Sequence, residues 1–135
     1  MKIFKKISVV ILVIFYFIAG LNHFRSPESY IRIIPGYLPY PAVLNIAAGI
    51  AEIVFALLAI RPQSRKVACY GIILMLLAFL PVHIQMVKDA PLQLGSLTVT
   101  PTIAWIRLVL LQPFLILWAW WHSLPNKPAT QSASR

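Results

Sequence analysis

Four long apolar stretches restrict what this chain can fold into. They cover residues 7–24, 42–60, 67–87 and 102–121. A helix needs about 20 mostly apolar residues to cross the hydrocarbon core of a bilayer, and a backbone in lipid must form its hydrogen bonds internally. The sequence therefore predicts an all-α fold, a bundle of four transmembrane helices. We expect one membrane domain over residues 1–123 and a disordered tail at 124–135.

The composition agrees with a membrane protein. Hydrophobic residues make up 60% of the 135 residues and charged residues only 11%, whereas a soluble domain carries about 25% charged residues. The net charge of +9 comes mostly from Lys and Arg beside the apolar stretches, so we do not expect a nucleic-acid partner. The single cysteine, Cys69, excludes an intramolecular disulfide and a paired-cysteine redox site.

The distribution of Lys and Arg predicts the direction of the helices. Positively charged residues favour the cytoplasmic side of a membrane. Four spans place the N-terminus, the second connection and the C-terminus on one side, and these three segments contain eight Lys and Arg residues. The first and third connections, on the other side, contain three. The eight are Lys2, Lys5, Lys6, Arg61, Arg65, Lys66, Lys127 and Arg135. We therefore expect a multi-pass protein of the plasma membrane with both termini in the cytoplasm. A signal peptide at residues 7–24 is the alternative, but this stretch is long for one and no small-x-small cleavage site follows.

The outer connection between the first two spans is unusually apolar. Residues 20–41 read GLNHFRSPESYIRIIPGYLPYP. The prolines discourage a long helix after Ile34, so we predict a short amphipathic helix at 27–34 and then a Pro-rich turn in the membrane interface. Tyr30, Tyr37 and Tyr40 are candidate lid residues above a pocket. The simpler alternative is an interfacial anchor without a lid role.

Polar residues inside the spans mark the candidate site. Glu52 and Arg107 are ionisable side chains within apolar stretches, where a charge costs about 2.5–3.5 kcal/mol. Their depths allow an ion pair between them. Asn45 shares a helix face with Glu52, and Gly49 between them permits close helix approach. The candidate pocket residues are Asn22, His23, Asn45, Glu52, His83, Gln85, Arg107 and Gln112.

The polar residues have two interpretations other than a functional pocket. Polar side chains can hold membrane helices together by hydrogen bonds, and Glu52 with Arg107 can form a purely structural pair. We predict no metal site, because no HxxxH or ExxH spacing occurs. Pro81 and Pro113 are expected to kink their helices.

The order of several motifs resembles a known family. GLNHF occurs at residues 20–24, NIAAGIAEI at 45–53, FLPVHIQM at 79–86 and WIRLVLLQPFLILW at 105–118. Over about residues 10–120 this order resembles the DoxX-like family of small four-helix membrane proteins. The residues that match its pattern are His23, Glu52, Pro81 with His83, and Arg107.

The resemblance implies several functions. The first is an accessory subunit of a membrane redox system that binds a quinone or a lipid, with a redox enzyme as its partner. The alternative is a non-catalytic assembly or interaction protein with a client membrane protein; a small-molecule permease ranks last. A homodimer is a further expectation. We expect no covalently bound cofactor, and the sequence identifies no catalytic residue.

Overall fold

The computed structural model describes residues 2–126. Four helical segments in this range are long and apolar enough to cross a membrane. We call them spans 1 to 4; they are Lys2–Arg25, Pro41–Ile60, Pro62–Asp89 and Pro101–Ser123. Each contains one of the apolar stretches predicted from the sequence, so the prediction of four apolar helices is confirmed. Most of the predicted tail, residues 127–135, lies outside the described residues.

The first two spans are uninterrupted helices. Span 1 is α1, Lys2–Arg25, and span 2 is α3, Pro41–Ile60. Between them lies α2, Pro27–Arg32, within the predicted residues 27–34. Proline begins both α2 and α3, where its missing N–H would have no partner in the helix.

Span 3 is divided near its middle. It consists of α4, Pro62–Ala78, and α5, Leu80–Asp89, with a turn at Phe79 between them. Pro81 has no N–H to donate to the carbonyl four residues earlier. Pro81 therefore accounts for the break in span 3, as the sequence predicted.

Span 4 is also irregular. It consists of α6, Pro101–Ile106, a π-helical turn, Arg107–Leu111, and α7, Gln112–Ser123. Pro113, at the start of α7, again lacks a backbone donor, and the helix widens in the turn before it. A π-helical turn inside an α-helix often marks a functional position.

A small β-hairpin joins spans 3 and 4. The strands β1, Leu92–Leu94, and β2, Leu97–Val99, pair antiparallel. Gly95 in the two-residue turn has φ +60°, a conformation that glycine adopts without steric cost. Arg32 of α2 donates from Nη1 to the carbonyl oxygen of Gln93 at 3.0 Å. The sequence did not predict the hairpin, which anchors the connection between spans 1 and 2.

The spans pack in a defined order around two apolar clusters. The helix α1 packs along α3, α3 against α4, and α4 against α7. Residues from α1, α3, α4 and α7 form the larger cluster, which includes Leu12, Tyr16, Ala56, Ile72, Leu76 and Leu115. The smaller cluster lies under the hairpin and comprises Ile33, Met86, Val99 and Ala104.

The two ends of the molecule differ in charge. We call the end that carries α2 and the hairpin the hairpin end. The opposite end, formed by the start of α1, the α3–α4 connection and the end of α7, is the basic end. Its cationic residues within the described chain are Lys2, Lys5, Lys6, Arg61, Arg65 and Lys66.

Candidate functional site

Two glycines bring α1 and α3 together at the site. A Cβ atom at Gly20 would lie 2.8 Å from the carbonyl oxygen of Gly49, and one at Gly49 would lie 2.8 Å from the Cβ of His23. Only residues without a side chain permit this approach. Small residues at such crossings let membrane helices pack backbone to backbone. The contact places the polar side chains of the two helices within reach of one another.

His23 and Asn45 are the first of these polar pairs. Both are buried. The Nδ1 atom of His23 lies 2.7 Å from Oδ1 of Asn45, and Nδ2 of Asn45 donates to the carbonyl oxygen of His23 at 3.1 Å. Because an amide oxygen only accepts, Nδ1 of His23 must carry a hydrogen. A neutral His23 therefore presents Nε2 as an acceptor.

Glu52 faces that acceptor. Its Oε2 atom lies 3.4 Å from Nε2 of His23. Glu52 is only 6% exposed, and Oε2 has no hydrogen-bond partner within residues 2–126. A proton held between this oxygen and the imidazole would be shared by acid and base. The geometry thus gives a buried acid–base pair inside a membrane-spanning helix pair.

Tyr30 covers His23 from the hairpin end. The two rings stack with centroids 3.8 Å apart, and Nδ2 of Asn22 donates to the Tyr30 hydroxyl at 2.7 Å. Burial raises the pKa of the Tyr30 phenol, and the hydrogen bond from Asn22 opposes this effect. Tyr30 therefore covers the imidazole of His23, and its role as a lid residue stays a prediction.

The other two candidate lid residues lie elsewhere. The side chains of Tyr37 and Tyr40 are 73% and 77% exposed, so they do not cover the buried pair. The turn that carries them is anchored instead by Ile33 and Pro35, which are buried. The apolar character of the connection serves this anchoring.

Arg107 and Gln112 form a second polar group. Nη1 of Arg107 donates to Oε1 of Gln112 at 2.7 Å, and Nε2 of Gln112 donates to the carbonyl oxygen of Leu76. That carbonyl lies just before the break in span 3. Gln112 therefore links the irregular parts of spans 3 and 4. Among the described residues Arg107 makes no direct ion pair with Glu52, a pair that their depths in the spans allowed.

Two buried polar groups lie around Arg107 without a partner. The hydroxyl of Tyr16 and Nδ1 of His83 have no hydrogen-bond partner within residues 2–126. Arg107 lies within electrostatic range of Glu52 and of the Tyr16 hydroxyl. Tyr16 was not among the predicted site residues. Tyr16 precedes Gly20 by four residues and His23 by seven, which places the three on the same face of α1. This spacing is the sequence pattern that could have identified Tyr16 as a site residue.

Gln85 does not join the site. Its side chain is partly exposed and donates to Asp89 at 2.9 Å, one turn further along α5. Asn22 is itself exposed and reaches the site only through Tyr30. We use the term polar cluster for the members that the structure brings together: Tyr16, His23, Tyr30, Asn45, Glu52, His83, Arg107 and Gln112.

His23, Asn45, Glu52, His83 and Gln112 of the polar cluster are buried. Two clefts of residues 2–126 lie at the basic end, and no member of the cluster lines either of them. No group of three or more metal-binding side chains occurs in this part of the chain. A ligand at His23 and Glu52 would therefore need Tyr30 or a neighbouring helix to move.

Comparison with known proteins gives a family and no function. No curated protein and no solved structure matches the chain. The family described as "Domain of unknown function (DUF8561)" matches residues 12–123. This range begins in α1 and ends with α7, and so includes every member of the polar cluster. The chain belongs to the family described as "Domain of unknown function (DUF8561)".

Proposed function

We propose that the protein is a multi-pass plasma-membrane protein, a bundle of four helices with its basic end in the cytoplasm. The supporting observation is that Lys and Arg gather at the basic end, whereas the hairpin end mixes both signs of charge. Positively charged connections remain on the cytoplasmic side during insertion. Both termini then lie in the cytoplasm, and Tyr30 with the hairpin lies outside.

Within this arrangement, we propose a DoxX-like accessory subunit of a membrane redox system that binds a quinone or a lipid headgroup. The observation that carries the proposal is the buried Glu52 oxygen, which lies 3.4 Å from His23 and has no hydrogen-bond partner in the described chain. An ionisable residue inside a membrane span is costly and is kept for a partner or a function. His23 lies beside Oε2 of Glu52 but forms no hydrogen bond to it.

The chemistry of the pair suits a quinone oxygen. Reduction of a quinone to a quinol consumes electrons and an equal number of protons. In our proposal a partner redox enzyme supplies the electrons. The proton held between Glu52 and Nε2 of His23 forms a hydrogen bond to one quinone oxygen and is then transferred to it. The second proton reaches the other quinone oxygen from the partner enzyme or from water. Arg107, held by Gln112, offsets the negative charge left on Glu52.

Tyr30 is the proposed gate for this ligand. It stacks on His23 and is held by one hydrogen bond from an exposed Asn22. Breaking that bond would uncover the imidazole from the outer side of the membrane. The headgroup would then replace the Tyr30 ring, and its apolar chain would remain in lipid.

The test is the identity of the molecules retained by the gently purified protein. Mass spectrometry of the wild type should find quinone or one lipid class above its share of the membrane extract. Glu52→Gln should lose this enrichment, whereas Glu28→Gln, which removes an exposed carboxylate of α2, should keep it. Equal retention by all three proteins would refute the proposed site.

A second candidate function is a non-catalytic assembly protein. It is favoured by the burial of most of the polar cluster and by the pairing of His23 with Asn45 and of Arg107 with Gln112. In this case the polar groups hold the helices, and the exposed apolar faces receive a client helix or a second copy. Stable co-purification of such a partner, without bound quinone, would support this function over the quinone-binding one.

A further inference from the structure

The basic end contains a cleft lined by several positively charged side chains. It encloses about 420 Å³ between the start of α1, the start of α4 and the end of α7. Its charged or titratable lining residues are Lys5, Arg65, Lys66 and His122. It lies at the opposite end from Tyr30 and shares no residue with the polar cluster. It is thus a separate feature of the molecule.

The cleft has no negative side chain to balance its charge. The whole sequence contains three acidic residues: Glu28, Glu52 and Asp89. The first lies in α2 at the hairpin end, the second within span 2 and the third at the end of α5. Lys5 donates to the Leu124 carbonyl and Arg65 to the carbonyls of Ala59 and Ile60, and no acidic side chain balances their charge.

The start of α4 adds to the positive potential. The first turn has no acidic residue and no side-chain cap, so the positive end of the helix dipole is left uncompensated. Arg65 and Lys66 stand at this end, where positive charge is unfavourable. Arg65 is held in place because Nε and Nη2 donate to the carbonyl oxygens of Ala59 and Ile60 at 2.9 and 3.0 Å. Arg65 also lines the cleft.

His122 provides a buried donor in the lining. It is 3% exposed, and its Nδ1 atom has no hydrogen-bond partner among residues 2–126. Its Nε2 atom lies 2.9 Å from Oγ of Ser8, which accepts a hydrogen bond from Nε1 of Trp118 at 2.8 Å. Since the Ser8 hydroxyl can then donate its own hydrogen to Nε2, we assign the imidazole hydrogen to Nδ1. That N–H lacks an acceptor.

An apolar groove adjoins the cleft. It encloses about 940 Å³ and is lined by Val54, Leu57 and Leu58 of α3 together with Arg61, Gln63 and Ser64. Gln63 borders both the groove and the cleft. The groove is apolar, and the cleft beside it presents cationic and amide groups. A molecule with an acyl chain joined to an anionic headgroup has the chemistry to fill both.

We propose that the basic end binds an anionic phospholipid. Its phosphate lies in the cleft, where it accepts hydrogen bonds from Lys5 and Arg65. The Nδ1 group of His122 is closed off from the surface, so the ring must turn before this group can donate to the phosphate as well. Lys66 adds charge at the rim, and an acyl chain follows the α3 groove. The site is independent of the proposed quinone site and holds whether or not that function is correct.

The test measures lipid binding to the purified full-length protein in a neutral detergent. Short-chain phosphatidylglycerol and phosphatidylcholine are titrated separately, and binding is followed by native mass spectrometry. Phosphatidylglycerol should bind saturably and more tightly than phosphatidylcholine. Each of Lys5→Gln and Lys66→Gln should weaken it about fivefold, since a surface Lys contributes about 1 kcal/mol toward an anionic lipid. Lys88→Gln, at the hairpin end, is the matched control and should leave binding unchanged.

Competition separates a lipid from a free anion. Inorganic phosphate or glycerol phosphate should displace the lipid only at a large excess, because neither fills the apolar groove. If inorganic phosphate binds as tightly as phosphatidylglycerol, the lipid assignment is overturned in favour of a free phosphate. If phosphatidylcholine binds equally well, or if Lys88→Gln weakens binding as much as Lys66→Gln, there is no anion site at the basic end.

Discussion

Gly20 of α1 and Gly49 of α3 lie against each other at the level of the polar cluster. A Cβ atom on Gly20 would lie 2.8 Å from the carbonyl oxygen of Gly49, and the reverse distance would be 3.1 Å. His23 and Glu52 each follow one of these glycines by three residues. The position of the acid–base pair therefore depends on a contact in which neither helix has a side chain.

The first prediction concerns this contact. Gly49→Ala should destabilise the protein by about 1–3 kcal/mol, the usual effect of overpacking, because the new methyl group meets His23 and the backbone of Gly20. Unfolding in mild detergent measures the change. Gly36→Ala is the control, since a Cβ there has no neighbour within 4 Å. Equal stability of the two variants would contradict the close approach.

The second prediction concerns Gln112. Gln112→Leu removes the partner of Arg107 and the donor to the Leu76 carbonyl, and should cost about 1–3 kcal/mol for each group left unsatisfied. Gln85→Leu is the matched control, because Gln85 bonds to Asp89 at the surface and its loss should change stability by less than about 0.5 kcal/mol. The same unfolding assay compares the two. A larger loss in Gln85→Leu would disprove the link between spans 3 and 4.

The third prediction is the direction of the chain in the membrane. In a Cys69→Ala background, Ser96→Cys lies in the hairpin turn and Gln63→Cys at the basic end, and both positions are exposed. A membrane-impermeant maleimide added to intact cells should label Ser96→Cys and leave Gln63→Cys unlabelled until the cells are opened. The reverse pattern would invert the proposed topology.

The fourth prediction follows from the pKa of Tyr30. Burial raises this pKa above the value of about 10 expected in an unfolded chain, so the folded protein keeps a proton that the unfolded chain releases. Stability should therefore fall as the pH rises above about 10. Tyr30→Phe removes this contribution, and its stability should decline less steeply in alkaline titrations followed by thermal unfolding. An unchanged slope would show that Tyr30 is not buried against His23.

The sequence predicted the helices well because the physics of a membrane span is local. Length and apolar content alone bounded the four segments, and Pro81 and Pro113 indicated where spans 3 and 4 become irregular. The hairpin was missed, although LQLGSLTV alternates in polarity around a Gly-Ser turn, a known hairpin signal. The strands are only three residues long and lie between two strong helix patterns, so their alternation is a weak signal beside that of the helices.

The site was less predictable because it depends on which helix faces meet. Depth along the spans allowed an ion pair between Glu52 and Arg107, but it could not show that Gln112, on the same helix, takes the Arg107 donor. Likewise, the sequence does not distinguish Tyr30, Tyr37 and Tyr40 as candidate lid residues. Only Tyr30 lies where the stacking contact with His23 forms.

The central claim is that the Glu52 carboxyl contacts the ligand. Infrared difference spectroscopy on the purified protein, with and without a short-chain quinone, measures this most directly, because hydrogen bonding to a carboxyl group changes its C=O band. We predict a ligand-induced carboxyl band that persists in Glu28→Gln and is absent in Glu52→Gln. Identical difference spectra for the wild type and Glu52→Gln would contradict the claim.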